Sequence, residues 1–160
     1  MYLDIKQSRT IKQNTLNETV HMKVLLYSSI EVASGKRLQR AIEMLVSKDR
    51  IEIYRTIGDF SIRLHQPFDE TVIAVLLVCS KKDLMDILSL QELLLDMQII
   101  LILPDTDNDT VTKGHTLRPR LIIHCDSDFL EVTGALCRMM RKEKCFENRH
   151  SSEDYSQDEC

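Results

Sequence analysis

Short apolar segments alternate with amphipathic segments along most of the chain. Residues 72–78 and 98–103 are aliphatic almost throughout, which is typical of strands buried on both faces of a sheet. Residues 50–54 alternate polar and apolar side chains instead, as a half-buried edge strand does. We predict five strands in all, at residues 23–28, 50–54, 72–78, 98–103 and 120–125.

The segments between these strands predict helices. Leu38, Ile42 and Leu45 recur at helical spacing, so one face of the first helix should be buried. Residues 106–117 show no clear periodicity, and no element is predicted there. We predict helices at residues 32–48, 58–65 and 81–95, and a last helix that begins after a cap at Asp126 or Ser127.

The alternation of strands and helices predicts a three-layer α/β fold. Right-handed crossovers carry the chain from each strand to the next, so the strands run parallel and helices cover both faces of the sheet. The two aliphatic strands should lie inside the sheet, and the strand at residues 50–54 should lie at an edge. This arrangement matches the doubly wound, flavodoxin-like strand order 2-1-3-4-5, whose functional crevice lies at the carboxyl ends of strands 1 and 3.

The predicted domain covers residues 23–142 and leaves an arm and a tail outside it. The tail, residues 143–160, is rich in serine and acidic residues and contributes the whole net charge of −4. Such a composition buries too little apolar surface to offset the entropy of ordering, so we predict a disordered tail. The arm, residues 1–22, carries scattered apolar residues; we predict disorder in isolation, with ordering against a partner or a sheet edge as the alternative.

The composition limits the class of protein. With 160 residues, of which 43% are hydrophobic and 29% charged, the chain can bury a core as one globular domain. Its five cysteines lack close pairs, so we expect reduced thiols in the cytoplasm. No apolar run approaches the roughly 18 residues that span a bilayer, and no signal peptide is recognisable at the start. No basic stripe for phosphates stands out, so neither a membrane nor a nucleic acid is an expected partner.

The layout of residues 23–142 resembles the receiver domain of CheY-like response regulators. Receivers place an acidic pair after strand 1, a phosphate-accepting aspartate at the end of strand 3, a hydroxyl after strand 4 and a lysine after strand 5. The acidic pair binds Mg²⁺ through hard oxygen ligands, and the aspartate is the nucleophile. The hydroxyl and the lysine hold the phosphoryl oxygens.

The corresponding positions of this chain carry other residue types. Serines replace the acidic pair, Cys79 replaces the phosphate-accepting aspartate, and the fifth strand ends without a lysine. The resemblance therefore implies a degenerate receiver, or pseudo-receiver, which is not an enzyme, needs no metal or cofactor, and regulates by protein contact in signal transduction. The crevice residues at the degenerate receiver positions are Tyr27, Ser28, Ser29, Cys79, Ser80, Pro104, Thr106 and His124.

Two loop motifs are incomplete. A strand, Gly35-Lys36 and a helix follow one another as in a phosphate-binding loop, but Ile30 and Arg37 occupy the positions of its first glycine and its hydroxyl residue. The acidic stretch at residues 105–110 lacks the glycine and the glutamate of a calcium loop. We expect solvated charges in the first case and a polar turn in the second.

Two alternatives use the same crevice. Cys79 lies before a helix, where a thiol can be activated for redox sensing, although a small core hydrophobe is the commoner role. A zinc site with His124 and Cys125 has no supporting ligand spacing. The alternative function is a small-molecule or nucleotide-binding α/β protein, in which the crevice around Ser29 and Ser80 holds the ligand.

The helix at residues 81–95 is apolar over more than half of its circumference, beyond what packing on a sheet requires. We predict contact with a protein partner, either a second copy of the chain in a homodimer or a larger signalling protein; burial beneath the arm is the alternative. Methionines of the last helix form a second candidate face. The predicted interaction surface comprises Met85, Leu90, Leu93, Met97, Met139 and Met140.

Overall fold

The computed structural model describes residues 22–29 and 33–153, with side chains up to residue 141. The predicted arm, apart from Met22, and residues 154–160 of the predicted tail lie outside the described residues. Residues 22–135 form one compact unit, and the chain from Leu136 onward belongs to another. Within the described ranges, no helix is both long and apolar enough to cross a bilayer.

Five parallel strands form one sheet. Their order is β2-β1-β3-β4-β5, which confirms the predicted flavodoxin/CheY-like α/β fold. The strands β3 and β4 lie in the interior of the sheet and are buried along nearly their whole length, whereas β2 is half-buried and lies at one end of the order. The strands are β1 (Met22–Ser28), β2 (Ile51–Tyr54), β3 (Thr71–Leu77), β4 (Gln98–Leu103) and β5 (Leu121–His124).

Helices connect successive strands. They are α1 (Ala33–Glu43), α2 (Ile57–Leu64), α3 (Lys81–Leu88), α4 (Asn108–His115) and α5 (Leu130–Glu153), with 3₁₀ turns at Lys48–Arg50 and Gln91–Leu94. The chain moves outward from β1 to β2 and then back through β3 to β5, so right-handed crossovers place α1 on one face of the sheet and α2 to α4 on the other.

The core on the second face surrounds Phe60 of α2. Its ring centroid lies 5.3 Å from that of Tyr27 and 5.8 Å from that of Tyr54. Successive strand residues point to opposite faces, so the neighbours of Tyr27 along β1 point toward α1, where Leu38 and Ile42 are fully buried. Both faces of the sheet are therefore covered, as the apolar strands require.

Helix boundaries differ from the predictions in two places. The first helix ends at Glu43 rather than at residue 48, and Leu45 is 37% exposed. The helix predicted at residues 81–95 ends at Leu88 and is followed by a 3₁₀ turn, which leaves Leu95 70% exposed. A change of helix type rotates the side chains that follow it, so Leu95 does not continue the buried stripe of α3.

The helix α4 occupies the segment for which no element is predicted. It packs against β4 through a glycine, since a Cβ atom at Gly114 would lie 2.9 Å from a methyl carbon of Leu101. Thr110, one turn earlier, is also buried. A helix that packs through such small residues has no stripe of large apolar side chains, which is why the sequence pattern does not reveal it.

The last helix extends past the predicted end of the domain. It continues to Glu153, so the predicted boundary at residue 142 falls inside α5 and part of the predicted tail is helical. Thr133 donates a backbone hydrogen bond to the carbonyl of Phe129 at 3.1 Å, which continues the helical pattern back to the residue before α5.

Candidate functional site

The predicted crevice lies at the carboxyl ends of the strands. At the end of β1, Tyr27 is 1% exposed and Ser28 is fully buried. The ring of Tyr27 belongs to the core around Phe60. Neither side chain presents a surface to a ligand at the mouth of the sheet, and Ser29, which is half-buried, is the first residue of this loop that does.

A carboxylate that the sequence analysis missed connects three of the predicted residues. The hydroxyl of Ser29 donates to Asp83 Oδ2 at 2.6 Å, and the backbone N–H of Cys79 donates to the same oxygen at 3.3 Å. The hydroxyl of Ser80 accepts a hydrogen bond from the backbone N–H of Asp83 at 3.1 Å. Asp83 thus joins the loop after β1 to the loop after β3 at the mouth of the sheet.

Ser80 and Asp83 form a helix cap. Ser80 is the N-cap of α3, and a serine followed three residues later by an acidic residue is a capping-box pattern. This spacing is visible in the sequence and was the signal that could have found Asp83. The carboxylate also lies in the first turn of α3, where the helix dipole favours a negative charge.

The thiol of Cys79 lies in an environment that keeps it protonated. Burial raises the pKa of Cys79, and the nearby Asp83 carboxylate raises it further, while a hydrogen bond with Ser29 opposes them. Burial and the same carboxylate also raise the pKa of Tyr27. A redox-sensing cysteine needs a lowered pKa, so the electrostatics of the crevice act against that alternative.

The other half of the mouth is built from the ends of β4 and β5. The thiol of Cys125 donates to the carbonyl oxygen of Pro104 at 3.4 Å, and the backbone N–H of Cys125 donates to Leu103 at 2.9 Å. Thr106 is exposed, and His124 is half-buried with its Nδ1 atom shielded from solvent. These contacts join the two loops to each other and not to Ser29 or Asp83.

The acidic stretch after β4 does not converge on a cation site. Asp107 forms an ion pair of 2.9 Å with Lys81, and Asp109 forms one of 2.9 Å with Lys113. Among the residues that the structure describes, no three histidine, cysteine or acidic side chains are placed to hold a metal ion. Cys79 and Cys125 are free thiols.

The phosphate-binding loop motif is inside a helix. The helix α1 begins at Ala33, so Gly35 and Lys36 belong to its first turn, and Gly35 is buried. In a phosphate-binding loop the backbone before the helix wraps around the phosphate, and the first glycine of the motif permits that path; this sequence has Ile30 at that position. Ile30 lies outside the described residues.

The predicted interaction surface is only partly exposed. Met85 is 52% exposed, whereas Leu90, Leu93 and Met97 pack in part against the core. In the second compact unit, Met139 is 8% exposed and Met140 is half-buried. Among the members of the predicted surface, Met85 is therefore the one with a largely free side chain.

Comparison with known proteins found no match for the chain among family models, curated proteins or solved structures. The strand order defines the class as a flavodoxin/CheY-like α/β protein. At the mouth of its sheet, the Asp83 carboxylate in the first turn of α3 accepts hydrogen bonds from Ser29 and Cys79.

Proposed function

We propose that the chain is a pseudo-receiver, a non-catalytic module that regulates by protein–protein contact in signal transduction. The observation that carries the proposal is that the Asp83 carboxylate at the mouth of the sheet is already engaged in hydrogen bonds. Asp83 Oδ2 accepts hydrogen bonds from Ser29 and from the backbone of Cys79, and Asp83 lies in the cap of α3. The position that corresponds to the receiver's nucleophile is Cys79, whose pKa is raised by burial and by Asp83.

Aspartyl phosphorylation would require an oxygen that is free to attack and a cation to balance the charge of the phosphoryl group. An attack by Asp83 Oδ2 would break its bond to Ser29 and leave the hydroxyl without its acceptor. Lys81, at the start of α3, forms an ion pair with Asp107 at 2.9 Å. These features support a scaffold that keeps the receiver fold and works through its surfaces.

Incubation with acetyl phosphate or beryllofluoride and Mg²⁺ is expected to change nothing in the chain. Its intact mass, its melting temperature and its molar mass in light scattering should equal those of the untreated protein. Mass spectrometry and thermal unfolding measure this directly. The Asp83→Asn variant is the matched control, because it keeps the hydrogen-bond acceptor at this position and removes the candidate nucleophile.

A phosphorylated wild-type chain together with an unmodified Asp83→Asn variant would contradict the proposal and identify Asp83 as an acceptor. The alternative function has its own test. A nucleotide that raises the melting temperature, with an effect that Ser29→Ala abolishes, would favour ligand binding in the crevice, since bound ligand stabilises the folded state by mass action.

The proposed contact surface on this side of the domain consists of Met85 and Leu95. Both side chains are largely exposed, at 52% and 70%, on the segment that the sequence analysis singles out. Large apolar side chains at a surface lower the free energy of association when a partner covers them. We propose self-association into a homodimer through this segment, with a larger signalling protein as the other partner class.

Light scattering of the full chain is expected to give the molar mass of a dimer, and the double variant Met85→Lys with Leu95→Lys should give that of a monomer. Two buried charges at an interface are strongly unfavourable, so the dissociation constant should rise by about a hundredfold or more. Met44→Lys is the matched control, because Met44 is 87% exposed at the end of α1. A monomeric wild-type chain, or a double variant that still dimerises, would contradict self-association through this surface.

A further inference from the structure

A groove between β2 and α2 is lined in part by Arg55, whose guanidinium group lacks a hydrogen-bond acceptor at one nitrogen. The groove has a volume of about 470 Å³ and is lined by Tyr54, Arg55, Ile62, Arg63 and Gln66 among others. Arg55 Nη1 is shielded from water, and within the described part of the chain no acceptor is within hydrogen-bond reach of it. A buried charged donor without an acceptor costs more than a lost neutral hydrogen bond, so an acceptor supplied by a ligand would remove this cost.

The rest of the Arg55 guanidinium is anchored from α1. Its Nη2 donates to Gln39 Oε1 at 3.1 Å, and Gln39 Nε2 donates to Glu43 Oε1 at 2.9 Å. The bond to Glu43 fixes the orientation of the Gln39 amide, which then presents its oxygen to Arg55. Among the hydrogen bonds of the described residues, the bond to Gln39 is the one that the Arg55 guanidinium makes, and rotation about the aliphatic bonds of the side chain would bring the planar group and its Nη1 to a ligand in the groove.

The other charged groups of the groove have partners. Arg63 Nε donates to Glu52 at 2.7 Å, and its guanidinium carbon lies 4.0 Å from the centroid of the Phe68 ring. Asp59 also lines the groove, but its Oδ2 accepts from the hydroxyl of Thr56 at 2.7 Å within the cap of α2. Glu52 thus balances the charge of Arg63, and Asp59 is bound to its own helix cap. Among the described residues, Arg55 is the cation of this groove that forms no ion pair.

We propose that this groove is a binding site for a small organic anion, with Arg55 as the group that recognises a carboxylate or a phosphate ester. A guanidinium group can donate two parallel hydrogen bonds to a pair of oxygens of either anion. The 63% exposed side chain of Ile62 gives the groove an apolar wall, which fits a ligand with an apolar body. The volume lies within the range of small-molecule pockets. This site is separate from the crevice at Asp83 and independent of the function proposed above.

Benzoate and phenyl phosphate are suitable probes, with neutral benzamide as the control ligand. In a ¹⁵N NMR titration of the full chain, at least one of the two anions should produce saturable shifts of backbone amides in residues 53–66, and benzamide should not. Arg55→Gln should weaken binding of that anion by about tenfold or more. The comparison of the two anions shows whether the site prefers carboxylate or phosphate.

Arg40→Gln is the matched control variant. Arg40 is exposed on α1, so this substitution removes the same charge at a position outside the groove. It should change the dissociation constant by about twofold at most. If Arg55→Gln does not fold, Arg55→Lys keeps the charge without the planar fork and should bind more weakly than the wild type. Absence of saturable shifts in residues 53–66, equal shifts with benzamide, or unchanged binding in the Arg55 variants would overturn the proposal.

Discussion

Replacing Phe60 with alanine is expected to lower the free energy of unfolding by about 3–5 kcal/mol. Phe60 is fully buried and packs against the rings of Tyr27 and Tyr54. The substitution loses the transfer free energy of the ring, leaves a cavity between α2 and the sheet, and removes two aromatic contacts. Domains of this size have a total stability of about 5–15 kcal/mol, so the loss is a large part of the whole. Urea unfolding followed by circular dichroism measures it.

Ile62 of the same helix provides the matched control for this substitution. Its side chain is 63% exposed, so Ile62→Ala should change the unfolding free energy by only about 0.5 kcal/mol. Phe60→Leu, which fills most of the cavity, should lose less than Phe60→Ala. A Phe60→Ala variant as stable as Ile62→Ala would show that α2 does not pack on the sheet through Phe60.

The second large effect concerns Glu52 on the edge strand β2. Its carboxylate accepts hydrogen bonds of 2.7 Å from Lys23, from Arg63 and from the hydroxyl of Tyr54. Partial burial by itself would raise the pKa of Glu52, but the three hydrogen bonds outweigh it and lower the pKa from 4.5 to about 2. Burial and the bond to Glu52 raise the pKa of Tyr54 to about 12, so Tyr54 remains a donor at neutral pH.

The direction of the pH dependence follows from these pKa values. The pKa of Glu52 is lower in the folded chain than in the unfolded chain, so its contribution to stability is complete above about pH 4.5 and is lost as the pH falls toward 2. The ion-pair partners are partly exposed, with side-chain exposures of 25% for Lys23 and 16% for Arg63. After allowance for solvent screening, we expect a contribution of about 1–2 kcal/mol.

Glu52→Gln should therefore destabilise the chain by about 1–2 kcal/mol at pH 7 and by much less near pH 2. Urea unfolding of both proteins across this pH range measures the difference. Glu70→Gln is the matched control, because Glu70 is exposed just before β3, and its curve should follow that of the wild type. A constant difference between Glu52→Gln and the wild type from pH 7 to pH 2 would contradict an ionic role for Glu52.

The architecture of the sheet could be predicted because burial leaves a direct signal in each strand. β3 and β4 are buried on both faces after their first residues, so every later position in them is apolar. β2 lies at an edge of the sheet, and its residues alternate. The aliphatic strands then belong inside the sheet and the alternating strand at an edge, which matches the flavodoxin-like order. The same reasoning placed Ser29, Cys79 and Ser80 at the mouth, because carboxyl ends of parallel strands meet at one edge.

Helix α4 and the ends of α1 and α3 were predicted less well, for a physical reason. Periodicity reports large apolar side chains, whereas α4 approaches β4 through Gly114. The 3₁₀ turn at Gln91–Leu94 breaks the helical period in a segment that remains apolar. In both places close packing, which depends on the neighbouring element, determined the structure.

The sequence by itself therefore determined the fold class, the strand order and the residue types at the mouth of the sheet. Only the tertiary structure decided which of those residues are bonded: Ser29 and Asp83 lie 54 positions apart, and Lys23 and Glu52 lie 29 apart. The physical reason is that the burial of a strand determines the pattern of apolar and polar residues within that segment itself. A side-chain partnership depends instead on register and crossover geometry, which arise only when distant segments pack together.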